Sequence, residues 1–209
     1  MNMSESTTEA TAIEKAEQQK NSQAIDNNNS EVLVPMADGT IISVKRYGKG
    51  NTIILVVADC LSLGTIEHTL ALCANQARRV YIFHPRGHNG SEGRFEKTIH
   101  DRDVERFVHL LRKSYTRIIL AAIGTDAFDC AKYSENGLAI DGLLLLFPNI
   151  TKPVRVIAPA AVVLEGMARP PALFGQVRVI RGARQETVLL HSIQQSLQWL
   201  CEQEKPIRF

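Results

Sequence analysis

The stretch RIILAAIGTDAFDCAKY, residues Arg117 to Tyr133, constrains the fold more strongly than any other part of the chain. Its apolar run from Ile118 to Ile123 has no polar break, which favours a strand that is covered on both faces. Gly124 then supplies a sharp turn, and Thr125 and Asp126 are residue types that cap or start helices. The sequence therefore predicts a strand, a turn and a helix in immediate succession, with glycine at the apex.

Similar apolar runs alternate with helical patterns along the rest of the chain. Two β-prone runs come first and are separated by Asp38 and Gly39, a dipeptide typical of a tight hairpin turn. The other predicted strands are residues 52–57, 80–83, 142–147, 154–158 and 177–180, and the last predicted helix carries Leu189, Ile193, Leu197 and Leu200 on one face. This order predicts an α/β fold with about eight mostly parallel strands, an N-terminal hairpin, and helices on both faces.

The length and the N-terminal composition divide the chain into two parts. A chain of 209 residues suits one domain with a sizeable core. Residues 1–30 are rich in Ser, Thr, Glu, Gln and Asn, and offer little apolar surface to offset the entropy of ordering. We therefore predict a disordered tail over 1–30 and a single α/β domain over 31–209.

Charge and cysteine usage exclude several function classes. The net charge of +2 gives no strong reason to expect nucleic acid as a partner. The four cysteines are scattered without a CxxC pair, which argues against a zinc site or a disulfide framework. No apolar run reaches the ~20 residues that span a bilayer, and the N-terminus lacks a signal-peptide pattern, so we predict a cytoplasmic protein without a membrane span.

Three motifs in order carry a resemblance to a known family. They are YIFHPRGHNGSEGRF at residues 81–95, DGLLLLFP at 141–148 and RVIRGARQETVLLH at 178–191, with the strand, turn and helix around Gly124 between the first two. Together they resemble the α/β-hydrolase fold, and are most similar to the lysophospholipase, monoacylglycerol lipase and serine aminopeptidase group. The resemblance implies a three-layer sandwich and covers roughly residues 32–200.

The resemblance also implies where a catalytic triad would stand, and the residues needed for it are absent. The nucleophile position falls on Gly124, which has no side chain to attack a carbonyl. The histidine position falls on Gln185, which cannot act as a general base at neutral pH. The acid, expected after a strand at 154–158, falls near Ala161 or Val162. All three triad positions are therefore predicted to be vacated.

Two further parts of the family's site are also altered. The oxyanion loop falls on Ala58 and Asp59, where a carboxylate would repel a developing oxyanion. Only PNITKP separates Phe147 from the next predicted strand, so no cap domain is expected. The predicted residual cleft would contain Ala58, Asp59, Cys60, Gly124, Thr125 and Gln185.

Some residues allow a catalytic interpretation beside a structural one. Asp126 could serve as an elbow nucleophile, but a helix N-terminal role is the simpler account. Cys60 could be reactive if exposed, although free cysteines are more often buried. His191 could act as a displaced base, yet it falls on the last predicted helix.

The histidines and serines of the loops are assigned structural roles. His84 and His88 lack a visible third ligand for a metal, and Ser62 and Ser91 lack a partnered base. No metal site and no cofactor are therefore expected.

These observations favour a non-catalytic protein of this fold that acts as a binding, scaffold or regulatory module. The partner would be another protein or a small apolar ligand. The alternative is an atypical, serine-independent hydrolase that uses Asp126 or Cys60 with His191.

Overall fold

The computed structural model of the chain describes residues 30–57, 60–166 and 168–203. The predicted polar tail, apart from Ser30, and the predicted oxyanion loop at Ala58 and Asp59 lie outside these residues.

An eight-stranded sheet forms the centre of the molecule. Its strands are β1 (Ser30–Pro35), β2 (Ile41–Tyr47), β3 (Thr52–Val57), β4 (Arg78–Phe83), β5 (Arg117–Ile123), β6 (Gly142–Leu146), β8 (Ala160–Glu165) and β10 (Val177–Gly182), in the spatial order β1-β2-β4-β3-β5-β6-β8-β10. The strands β1 and β2 form an antiparallel hairpin, β2 is antiparallel to β4, and the remaining pairs are parallel. The predicted sheet and hairpin are confirmed.

The hairpin turn follows from its residue types. Gly39 has a φ of +86°, which glycine adopts without strain, and the Asp38 carboxylate accepts a hydrogen bond from the Thr40 N–H at 3.1 Å. This turn fixes the register in which Val34 faces Ile42.

Four helices of the described residues cover the two faces of the sheet. They are α1 (Cys60–Ala71), α2 (Lys97–Arg112), α3 (Asp126–Glu135) and α4 (Glu186–Glu202). The helices α2 and α3 bury Val104, Phe107, Cys130 and other side chains on one face, whereas α1 and α4 bury Ile66, Leu70, Leu189 and Ile193 on the other. The result is a three-layer sandwich, because the central strands β3, β5, β6 and β8 are apolar on both sides.

One predicted strand is wrong. Of residues 154–158, only Val154–Arg155 form a strand (β7), and it pairs with β9 (Leu173–Phe174) in a separate two-stranded sheet. The next strand of the central sheet is instead Ala160–Glu165, which begins directly after Pro159. Both segments are rich in valine and alanine, so composition does not separate them. The six-residue segment forms the central strand because five consecutive residues of it are buried between β6 and β10.

The connection between β6 and β8 is short. Its regular structure within the described residues is β7 alone, so no cap domain covers the ends of β3, β5 and β6.

Candidate functional site at the carboxyl edge of the sheet

The turn at Gly124 joins β5 to α3 as the sequence predicts. Gly124 has a φ of +57°, in the region that non-glycine residues occupy at a cost. Its N–H donates to the Leu146 carbonyl at 3.0 Å, and its own carbonyl accepts from the Asn149 N–H at 2.9 Å. The turn is thus held against the end of β6, at the edge where the parallel strands finish, which we call the carboxyl edge.

Among the described residues, open space lies where a side chain at this position would project. A Cβ atom placed on Gly124 would meet no atom of those residues within 4 Å beyond its chain neighbours. The backbone therefore presents residue 124 outward at the apex of a strand, turn and helix. The apex has the geometry that displays a reactive side chain, and glycine supplies none.

The helix behind the turn begins with a threonine and an aspartate. Thr125 is exposed and occupies the N-cap position without a side-chain cap hydrogen bond. Asp126 is half-buried in the first turn together with Asp129. Both carboxylates lie at the positive end of the helix dipole, which accounts for acidic residues at this place.

Gln185 also lies at the carboxyl edge. It is the exposed N-cap residue of α4, and its carbonyl accepts from the Leu189 N–H at 2.9 Å. It follows β10, three strand positions from β5. The fold therefore brings Gly124 and Gln185 to the same edge, where the last strands of the sheet end.

The position predicted for the acid, Ala161, does not lie at this edge. Ala161 is fully buried within β8, between Leu144 of β6 and Arg178 of β10. The error follows from the wrong strand assignment at residues 154–158. Because β8 ends at Glu165, the residues that reach the carboxyl edge are Glu165 and those after it.

Glu165 is a carboxylate at the edge that the sequence interpretation missed. Its Oε2 atom accepts a hydrogen bond from Arg184 Nε at 2.9 Å, and Arg184 directly precedes Gln185. The Arg184 guanidinium also lies 5.0 Å from the centre of the Phe147 ring. The sequence signal that could have located Glu165 is the run AAVVLEG. Its first five residues are apolar, as in the other central strands, and Glu165 follows them directly.

Asp126 and His191, proposed as a nucleophile with a displaced base, lie at different edges of the sheet. Asp126 follows β5 at the carboxyl edge, whereas exposed His191 lines a groove with Thr52 and Arg78, the first residues of β3 and β4. Cys60 is the first residue of α1, and its side chain lies outside the described part of the structure. The structure therefore does not bring His191 to Asp126.

The turn RGHNGSEG after β4 is held by a buried ion pair. Arg86 Nε and Nη2 donate to the Asp103 carboxylate of α2 at 2.7 and 2.9 Å, and Nη1 donates to Asp38 of the hairpin turn at 2.6 Å. These hydrogen bonds raise the pKa of Arg86 above its usual range, and the largest contribution comes from Asp103. The arginine of this turn thus has a structural role.

Ser91 and His84 complete the same turn. The Ser91 hydroxyl donates to the His84 carbonyl at 2.9 Å and accepts from the Ser43 N–H at 2.9 Å. His84 is fully buried, and burial lowers its pKa. Its Nδ1 lies 3.2 Å from the Asn89 amide nitrogen. These contacts tie the loop to β2.

In the described part of the chain, no three His, Cys, Asp or Glu side chains are arranged to hold a metal ion. Within the same residues, no helix is both long and apolar enough to cross a lipid bilayer.

Comparison with solved structures identifies the fold. An α/β serine hydrolase without lid from Xanthomonas campestris superposes with a TM-score of 0.65 at 16% identity, over 85% of this chain and 97% of that one. An α/β hydrolase from Sphaerobacter thermophilus gives a TM-score of 0.61 at 13% identity, over 79% of this chain and 100% of that one. A soluble variant of monoglyceride lipase from Saccharomyces cerevisiae, in complex with a substrate analog, gives 0.61 at 10% identity, over 83% and 94%.

The protein therefore has the α/β-hydrolase fold, in a small form without a cap domain. No family model matches the sequence, and no curated protein sequence matches it significantly. At the identities of these structural neighbours, the likeness defines the fold and leaves the chemistry to the residues of the site.

Proposed function

We propose that this protein is a non-catalytic α/β-hydrolase-fold protein that acts as a binding, scaffold or regulatory module. The observation that carries the proposal is Gly124. It occupies the apex of the strand, turn and helix with a φ of +57° and with open space at its Cβ position. A nucleophilic side chain at this point would be accessible to a substrate, and the strained backbone of the turn would hold it exposed. Glycine supplies no nucleophile and adopts the same backbone conformation without strain.

The other positions of the edge support the proposal. Gln185 stands where the resemblance to the lysophospholipase and monoacylglycerol lipase group puts the general base, and an amide cannot take a proton at neutral pH. Glu165, the carboxylate at the end of β8, is engaged by the Arg184 guanidinium. The geometry of the edge is thus kept without a nucleophile and base that could form a proton relay.

A substrate screen tests the proposal. Purified full-length protein would be assayed with p-nitrophenyl esters, acyl thioesters and haloalkanes beside an active lidless serine hydrolase as the positive control. We expect no turnover above the rate of heat-denatured protein. Turnover that disappears in Asp126→Asn or Cys60→Ala would instead establish a serine-independent hydrolase and overturn the proposal.

The kind of molecule bound at the carboxyl edge is tested separately. A retained apolar ligand would raise the melting temperature in proportion to ln(1 + [L]/Kd). We expect long-chain fatty acids to leave the melting temperature unchanged, because no cap encloses the edge. A dose-dependent rise that is lost on changing Gly124 to a bulkier residue would identify a ligand-binding cleft there.

A further inference from the structure

Positive charge is concentrated in one segment of the chain. Residues 148–185 contain one acid, Glu165, and six basic residues, whereas the remaining residues contain 18 basic and 21 acidic ones. The six are Lys152, Arg155, Arg169, Arg178, Arg181 and Arg184. Of these six, Arg178 and Arg181 lie on β10, the last strand of the sheet, and Arg184 follows it directly.

The last strand of the sheet, β10, has an open outer edge. The Gln176 carbonyl accepts from Ala160 N–H at 2.9 Å and the Gly182 carbonyl accepts from Gly166 N–H at 3.3 Å, both on the β8 side. Because backbone groups alternate along a strand, Val177, Val179 and Arg181 direct their N–H and C=O groups away from β8. Among the described residues no strand pairs with this side.

Apolar side chains are exposed on β10 and in the connections before it. Val179 is 39% exposed, Phe174 of β9 is 61% exposed, and Ile157 after β7 is 53% exposed. Within the described residues, the connections on both sides of β8 contain only the short strands β7 and β9 as regular structure. Half of the large exposed apolar residues in the described chain therefore fall in this segment.

Most of the basic side chains there have no carboxylate partner within the described residues. Arg184 is paired with Glu165, but Arg181 donates to the carbonyls of Gly166 and Ala168, at 2.9 and 2.5 Å. Arg178 lies over the Trp199 ring at 5.9 Å. Arg178 and Arg181 of β10 therefore have no carboxylate partner among the described residues.

We propose that the outer edge of β10 binds an extended acidic segment of a partner protein by strand addition. Main-chain hydrogen bonds to Val177, Val179 and Arg181 would pair the partner segment with β10. The arginines of β10 would favour acidic side chains and Val179 would favour apolar ones, so the two kinds would alternate along the partner segment. The proposal rests on the proposed function only in that the protein acts as a binding module. A second copy of this chain is a poor occupant, because antiparallel pairing of two β10 strands would gather four arginines in one ladder.

Fluorescence anisotropy with a defined probe tests this proposal. The probe is a fluorescein-labelled peptide of alternating glutamate and valine, about eight residues long to match a strand. Two control peptides replace glutamate by lysine or carry N-methyl groups on alternate backbone nitrogens. We expect the acidic peptide alone to bind the full-length protein, with an affinity that falls as salt rises.

Protein variants locate the site. Val179→Pro removes one outward N–H without touching the bonds to β8, and we expect it to weaken binding at least about tenfold. Val179→Thr keeps that N–H and replaces only one methyl group, so we expect it to bind much more tightly than Val179→Pro. Arg178→Gln should weaken binding severalfold, whereas Arg102→Gln, an equal charge change on the exposed side of α2, should not.

The contrary results are equally specific. Absence of binding, equal binding of the N-methylated peptide, or unchanged binding by Val179→Pro would overturn strand addition at β10. Capture by anionic phosphatidylserine vesicles without peptide binding would assign the surface to lipid, and concentration-dependent dimerisation that Val179→Pro abolishes would assign it to a second copy. Peptide binding by a protein that also shows hydrolase activity would overturn the proposed function alone.

Discussion

Arg86 and Asp103 form a two-point ion pair in the interior, with Nε 2.7 Å from Oδ2 and Nη2 2.9 Å from Oδ1. Arg86 is 7% exposed and Asp103 is 4% exposed. The pair joins the turn after β4 to α2, and the contact of Arg86 with Asp38 extends it to the hairpin. The turn RGHNGSEG, which belongs to the first of the three motifs of the sequence resemblance, thus holds three segments together.

Removing one partner of this ion pair should lower the stability of the fold substantially. We expect Asp103→Ala to lower the free energy of unfolding by about 3–5 kcal/mol, because it leaves the buried guanidinium with Asp38 as its remaining carboxylate. Urea unfolding monitored by circular dichroism would measure the change. Arg102→Ala, at the exposed neighbouring position, is the control and should change stability by less than about 0.5 kcal/mol. Equal effects of the two substitutions would contradict a structural role for the pair.

Stability should fall as the pH drops from 7 to 5. Burial lowers the pKa of both His84 and His100, so below their unfolded pKa of about 6.5 the unfolded chain binds more protons than the folded one. The nearby charged groups are Lys45, Glu67 and Glu31 for His84, and Lys97, Asp101, Asp103 and Asp129 for His100.

Thermal melts across this pH range measure the effect. Each histidine contributes a slope of at most about 1.4 kcal/mol per pH unit. His100→Gln should reduce the slope, because it removes one of the two buried histidines. The pKa of Asp38 is depressed by Arg86, and its contribution is lost only at lower pH, so it does not affect this window. A pH-independent melting temperature would contradict the burial of neutral histidines.

Serine in place of Gly124, at the turn between β5 and α3, should lower the free energy of unfolding only modestly. Gly124→Ser introduces a side chain at a φ of +57° without a clash, so we expect a loss of about 1–3 kcal/mol from backbone strain. Gly137, at the end of α3, also has a positive φ and open space at its Cβ position, and Gly137→Ser is the matched control. Comparable losses of stability in the two variants would support open space beside Gly124. A much larger loss for Gly124→Ser would show that other atoms occupy that space.

Placing serine and histidine at the two positions that we propose as a vacated triad should not produce hydrolysis. Gly124→Ser with Gln185→His supplies a hydroxyl and an imidazole, but Glu165 remains bound by Arg184, and Asp59 remains at the position that the family resemblance assigns to an oxyanion donor. We expect p-nitrophenyl acetate turnover no higher than in the Gly137→Ser control. Robust turnover that is lost on adding Glu165→Gln would identify Glu165 as an orienting acid.

The sequence predicted the architecture well because most central strands are long apolar runs ending in glycine or a polar turn. Gly124 was located on the pattern of its own stretch, with strand residues before it and helix-starting residues after it. The placement of Gly124 and Gln185 at one edge then follows from the order of parallel strands.

The error at residues 154–158 has a physical cause. Val154–Ala158 and Ala160–Glu165 are both short apolar segments next to proline, and which one enters the sheet depends on burial against β6 and β10. That is a tertiary preference that the local sequence does not contain. Ala161 was therefore assigned to the edge, and Glu165 and its contact with Arg184 were missed.

The central claim is that the elbow has no nucleophile, and labelling with a fluorophosphonate probe tests it most directly. The native full-length protein would be incubated with the probe beside an active lidless serine hydrolase, and adduct formation would be measured by intact-protein mass spectrometry. The proposal predicts no adduct on the native protein under conditions that label the control completely. Stoichiometric labelling of the native protein that is abolished by prior denaturation would contradict it.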